Sequence, residues 1–290
     1  MKKTILFTAV LALNVSLFAG FPEDYRAAQN EFKRSRWASA AEKFLALEKT
    51  ATGESKSKVL HYAAISLTRA KKAAEAQAVI ERIADPAWKG YTQIKILNSG
   101  NKLRDIKQQF GKTDFSTWPE DIAYQACFIR GRAYYVTERN KALCIPDLEK
   151  AVAGCGSDFL TKIIALDMLA SAAHTVKDYE KALKAADQAI AMKQYRGFYA
   201  YMSAAYLKAK ILAEQKKFAE AEQFLADFNK GRKWGKGQIW HFKYIETCGD
   251  VALAKGDIAK AKEYYNQALA LEKINPYYVN QLKAKVSKIK

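Results

Sequence analysis

The chain is poor in the residues that interrupt regular backbone. Its 290 residues include five prolines and fourteen glycines, four cysteines and three histidines. So little turn chemistry argues against a sandwich or barrel of many short strands, and Ala, Lys, Leu and Glu, which dominate, are good helix formers. The histidines, His61, His174 and His241, stand far apart, which excludes a metal motif of closely spaced ligands. Catalytic signatures are missing as well: there is no Gly-x-Ser-x-Gly, no His-Glu-x-x-His and no phosphate loop. Gly231-Arg232-Lys233-Trp234-Gly235-Lys236-Gly237 imitates the last, but its spacing is wrong and no Ser or Thr follows the lysine. The carboxylates mostly neighbour lysines on helix surfaces, as in Glu180-Lys181, and no isolated pair is set up for acid–base work. The expectation is a protein that is not an enzyme and needs no cofactor or metal.

Acidic residues are also scarce relative to basic ones, 30 against 48. The one long uncharged run, Thr4 to Ala19, follows Lys2 and Lys3 and ends in Gly20 before Phe-Pro-Glu-Asp. A basic n-region, a short apolar stretch and small exit residues read as a signal peptide over residues 1–20, cleaved near Ala19 or Gly20. The run is too short for a membrane span, which needs roughly twenty apolar residues. The expected location is the periplasm or cell envelope. Loss of Lys2 and Lys3 still leaves a charge of about +16, which concerns partners rather than fold. Export favours anionic envelope polymer, a membrane surface or acidic protein over nucleic acid.

What is present is a repeat. In GDVALAKGDIAKAKEYYNQAL, residues 249–269, Trp240, Tyr244, Cys248 and Val251/Ala252 share one helical face leading in. Gly256 suits a left-handed helix end, Asp257 a cap, and Ile258, Ala261, Tyr265 and Ala268/Leu269 form a second stripe. The second-helix pattern recurs at Arg36–Phe44, Lys177–Ala189 and Lys217–Phe228. Aligning its small residue picks out Ala40, Ala76, Cys144, Ala182, Ala221 and Ala261, with gaps of 36, 68, 38, 39 and 40. The gap of 68 predicts a weakened unit at 87–113, with short helices from Trp88 to Leu97 and Asn101 to Phe110. The units expected are 22–49, 54–84, 87–113, 118–155, 158–192, 197–229 and 238–271, within one repeat domain over 21–290. A cap at 276–289 carries Leu282, Val286 and Ile289 on one side.

This pattern resembles the tetratricopeptide repeat family. Gly249, Gly256-Asp257, Ala261, Tyr265, Ala268 and the closing Pro276 carry the likeness best, and Arg130-Gly131-Arg132-Ala133-Tyr134-Tyr135 looks like the family's first helix. Pro146 departs from it, and should begin a shortened helix. The resemblance implies an all-α, right-handed superhelix of about six to seven hairpins, a solenoid whose first helices line a concave groove. It implies a protein-interaction scaffold taking an extended protein or peptide at Lys58 and His61; Gln125, Phe128, Arg132 and Tyr135; Asp167, Ser171 and His174; Ser203, Tyr206 and Lys210; and Lys243, Glu246 and Asp250. A second expected site is the loop of Lys230, Arg232, Lys233, Trp234 and Lys236, whose cations suit anions and whose indole suits stacking.

Four cysteines in an oxidising compartment invite pairing. A helix between Cys144 and Cys155 holds them about 15 Å apart, beyond the roughly 7 Å a bridge tolerates. A hairpin turn near Arg139-Asn140 instead returns Cys155 beside Tyr124, one turn from Cys127, so Cys127–Cys155 is the expected pair, with Cys144 and Cys248 free and buried.

Overall fold

In the computed structural model, residues 21–235 and 238–289 are described. The signal sequence expected at 1–20, and Lys236 of the basic loop, lie outside them. Among the described residues the regular structure is helical throughout, and no helix is long and apolar enough to cross a membrane. The fold is all-α, with helices packed in neighbouring pairs.

Fifteen α-helices are described: α1 (Phe21–Lys33), α2 (Trp37–Leu47), α3 (Gly53–Arg69), α4 (Ala73–Glu81), α5 (Pro86–Ser99), α6 (Leu103–Phe110), α7 (Glu120–Thr137), α8 (Ile145–Gly154), α9 (Phe159–Thr175), α10 (Tyr179–Ala191), α11 (Tyr199–Glu214), α12 (Phe218–Asn229), α13 (Ile239–Lys255), α14 (Ile258–Leu269) and α15 (Pro276–Val286). The described residues form two compact units, divided within α7 between Ala133 and Tyr134.

In the first unit α2 packs on α1 and α3, and α3 on α4 and α5. Phe44 of α2 is its aromatic centre, stacked on Tyr62 and meeting Tyr25 and Phe32 edge-on. In the second unit α9 packs on α8, α10 and α11, and α11 on α10, α12 and α13. Helix α13 packs on α14, and α14 on α15. The six aligned small residues, Ala40 through Ala261, are each 3 % exposed or less, because a bare methyl or thiol lets two helices approach where a larger side chain would hold them apart.

Hairpin corners share one geometry. Ser35, Lys71, Asn101, Lys177 and Lys216 have φ between 54° and 64°, and Gly256 has φ 91°. At each, the next residue's N–H reaches back five residues, as from Lys72 to Leu67, Asp178 to Ala173 and Asp257 to Ala252, each at 2.9 Å. These are left-handed helix ends of the Schellman type. Gly256 occupies the region freely, whereas a side chain there costs about 1 kcal/mol. Asp257, Asp178 and Asp158 then accept from the third N–H of the following helix at 3.0–3.1 Å. Pro146 stands in the first turn of α8, where its missing N–H is harmless.

The buried stripe of α13 differs from the expected one. Phe242, Ile245, Gly249 and Ala252 face the core, while Trp240, Tyr244 and Cys248 are half-buried on the adjoining face. The reason is Gly249: its bare backbone is the place where α14's Tyr265 seats, which fixes the rotation of α13 about its axis.

Candidate functional site

The expected groove residues sit on first helices, and most are already engaged by a residue about one repeat away. In the first unit, Lys58 of α3 pairs with Glu54 at 2.8 Å and Asp121 of α7 at 3.5 Å. Gln125 Oε1 accepts from Tyr91 at 2.5 Å and Lys95 at 3.3 Å. Arg132 Nη1 donates to Asn98 at 2.8 Å and Nη2 to Asn101 at 3.4 Å. Phe128 stands half-buried between Gln125 and Arg132 in the sequence of α7.

His61 does not belong on a ligand-facing surface. It is 4 % exposed, stacked on Tyr91 at 4.9 Å, with Nδ1 2.9 Å from Thr92 Oγ1. The Thr92 hydroxyl gives its proton to the Trp88 carbonyl at 2.7 Å, so His61 Nδ1 is the donor. Burial, with help from Lys95, pushes its pKa down to about 3. It is packing, where sequence reasoning placed contact.

In the second unit, the Tyr135 hydroxyl donates to Ser171 Oγ at 3.0 Å and His174 Nε2 lies 2.9 Å from Glu214. The Tyr206 hydroxyl donates to the Trp240 carbonyl at 2.9 Å, and the ring is buried against Phe228. Tyr206 is therefore a tie between α11 and α13 rather than a free contact. Lys210 stays exposed. At the end of the series, Lys243 bonds Glu246 at 2.7 Å. Lys285 of α15 reaches both Glu246, at 2.9 Å, and Asp250, at 2.7 Å. Burial works to raise the Glu246 pKa, but the two ammonium groups win and hold it below the usual range. Glu246 and Asp250 were expected to be open, and their partner is the chain's own last helix.

Asp167 of α9 is engaged through one oxygen only. Ser203 of α11 hydrogen-bonds its carboxyl group, while Oδ1 is buried without a partner, and burial raises the pKa to about 6. The folded protein thus keeps a proton that the unfolded chain releases near pH 4, and stability falls as pH rises from about 4 to about 6. Asp167→Asn is expected to remove most of that decline. Urea titrations of parent and variant across this range test it, and parallel slopes would show that Asp167 is solvated.

The basic loop holds together differently from the exposed strap its composition suggests. Trp234 turns inward: Nε1 donates to Asn229 Oδ1 at 2.8 Å, and the indole lies flat on His241, centroids 5.2 Å apart and planes 4° from parallel. It is committed to its own fold and does not project as an insertion anchor. Arg232 is half-buried, and Lys230 and Lys233 are exposed. Arg196, from the turn before α11, joins Arg232 in lining a cavity of about 600 Å³. Nothing in its sequence surroundings singled it out, because the two residues are 36 apart and meet only through the hairpin.

Cys155 at the end of α8 is a buried, unbridged thiol, so the pairing expected with Cys127 is not formed. Burial pushes its pKa to about 11, as it does for Cys144, whose thiol donates to the Lys141 carbonyl. Both behave as small apolar groups at helix contacts. Cys248 is half-buried rather than buried.

Comparison with known proteins adds one local match and one distant one. Residues 248–275 match a family model described as a tetratricopeptide repeat. A solved tetratricopeptide repeat protein from Parabacteroides merdae is similar at 13 % identity, over 93 % of this chain and 100 % of that one. The TM-score is 0.41. No curated protein matches the chain.

Proposed function

We propose that the chain is a tetratricopeptide-repeat protein and a non-catalytic scaffold of the cell envelope, holding an extended segment of another protein along its first helices. The observation that carries this reading is the row of bonds between successive first helices in each unit. Tyr91–Gln125, Asn98–Arg132, Tyr135–Ser171 and Tyr206–Trp240 join residues 34 to 36 apart. Such a row fixes side chains before a partner arrives, and a preformed surface loses less rotamer freedom on binding than a mobile one. The residues it leaves accessible, Lys58, Phe128 and Lys210, mix charge with an aromatic ring, as suits a peptide. Residues 1–20 support export to the envelope.

The test is a photo-crosslinking amino acid placed at Phe128 or Lys210 in the full chain, in its native cell, with Lys262 on the second helix α14 as the comparison. Discrete protein adducts from the first two positions and none from Lys262 are expected. Equal labelling at all three, or none at Phe128 and Lys210, removes the groove from consideration. A second reading, an adaptor for anionic envelope polymer or a membrane surface, is favoured by the net charge of +18. It requires capture that weakens steeply between low and physiological salt.

A further inference from the structure

One guanidinium in the second unit is built to receive a ligand. Arg232 is clamped between two rings, its Cζ 4.1 Å from the Phe228 centroid and 5.8 Å from that of Trp234. Its Nε donates to the Phe228 carbonyl at 2.8 Å and Nη1 to the Arg196 carbonyl at 3.4 Å. Nη2 is buried and has no partner. A buried N–H of a charged group left unmatched is costly, which marks this guanidinium as short of acceptors.

The surroundings indicate which oxygen. Arg232 lines the cavity of about 600 Å³ together with Arg196, Lys233, Met202, Trp234 and Trp240, and no carboxylate is among its described lining residues. Three cations therefore share a concavity without a counter-charge. Burial, then the neighbouring Arg196, holds the Arg232 pKa below its ordinary value. Trp234 is held on His241 and by Asn229, so the wall stands ready. Met202 is buried in the floor.

We infer that this cavity is a receptor for an acidic side chain: a carboxylate of a bound protein segment sits between Arg196 and the part of Arg232 that lines the cavity, with its apolar stem or neighbour on Trp234, Trp240 and Met202. Guanidinium and carboxylate match as planar forks, which an ammonium cannot reproduce. A concave site with an apolar floor admits a protruding side chain, whereas a plane of lipid headgroups meets a flat or convex cationic face. The cavity shares α11 and α13 with the row of candidate residues, through Met202 beside Ser203 and through the Tyr206–Trp240 bond. The inference thus rests on the scaffold reading and specifies a preference of its partner.

The experiment uses the full chain and two fluorescein-labelled hexapeptides, one of alternating Glu and Leu and one of alternating Gln and Leu, followed by anisotropy. The Glu peptide is expected to bind at least about tenfold more tightly, the scale of a hydrogen bond to a charged group. Arg232→Gln is expected to lose about tenfold and Arg196→Gln about threefold, with Lys262→Gln unchanged. Arg196 is exposed, so its variant reports binding even where Arg232→Gln disturbs the end of α12. Equal binding of the two peptides, or equal losses for Arg196→Gln and Lys262→Gln, overturns the pocket. So does phosphatidylglycerol vesicle binding that depends on Arg232 while the peptides fail to bind. Crosslinking at Phe128 and Lys210 reads the scaffold independently: adducts there with no binding of the Glu peptide sink the pocket alone.

Discussion

Gly249→Ala is expected to lower stability by about 2 kcal/mol, although alanine is the better helix former. A Cβ built at Gly249 lies 2.5 Å from Tyr265 Cε1 and 2.7 Å from Cδ1. Tyr265 is fully buried, and its hydroxyl is tied to Asp250 Oδ1 at 2.7 Å, so the ring cannot tilt away without breaking that bond. The gain in helix propensity is about 1 kcal/mol, while overpacking of a rigid core costs about 1–3 kcal/mol and more where nothing can yield. Strain wins. Urea unfolding measures the difference, and the melting temperature should fall by roughly 4–8 °C. A variant as stable as the parent means that α13 and α14 do not approach this closely.

Phe44→Ala in the first unit is expected to cost more, about 4 kcal/mol. The ring has no exposed surface, stacks on Tyr62 at 5.2 Å and meets Tyr25 and Phe32 edge-on at 5.9 and 6.5 Å. Truncation removes the transfer free energy of the ring, leaves a cavity and breaks three aromatic pairs. Near-ultraviolet circular dichroism should lose intensity together with the drop in the urea midpoint. A loss below about 1 kcal/mol would place Phe44 among half-exposed residues, contrary to its packing.

Both residues were visible in the sequence as members of a recurring pattern, and the six aligned small residues were found from spacing alone. Helix packing made that possible, because every hairpin must bring two backbones together at one small side chain. The corners were less legible. Only Gly256 declares a left-handed residue, while Lys71, Lys177 and Lys216 adopt the same φ beneath an unremarkable Lys. A strain of about 1 kcal/mol per corner is small enough for packing to override, so geometry persists where the motif has faded. That the family model matches only 248–275 fits this account.

The candidate site was harder to read because periodicity gives the face of a helix but not what the neighbouring repeat sends to meet it. His61 lies on a first helix as expected and is buried by Tyr91 and Trp88 of the next hairpin. Glu246 and Asp250 are likewise where the pattern put them, but a lysine 35 to 39 residues later claims them. Arg196 and Arg232 meet through tertiary structure alone, and no linear motif reports such a meeting.

The Lys285 contact makes the last repeat its own competitor. An ammonium carried by the same chain acts as an intramolecular ligand, always present and never diluted. A basic segment arriving at Glu246 and Asp250 must displace it, whereas an acidic one is repelled by the very carboxylates that Lys285 leaves partly neutralised. The terminal helix thus closes the last repeat with an ion pair of its own, and Glu246 and Asp250 are already engaged from within the chain.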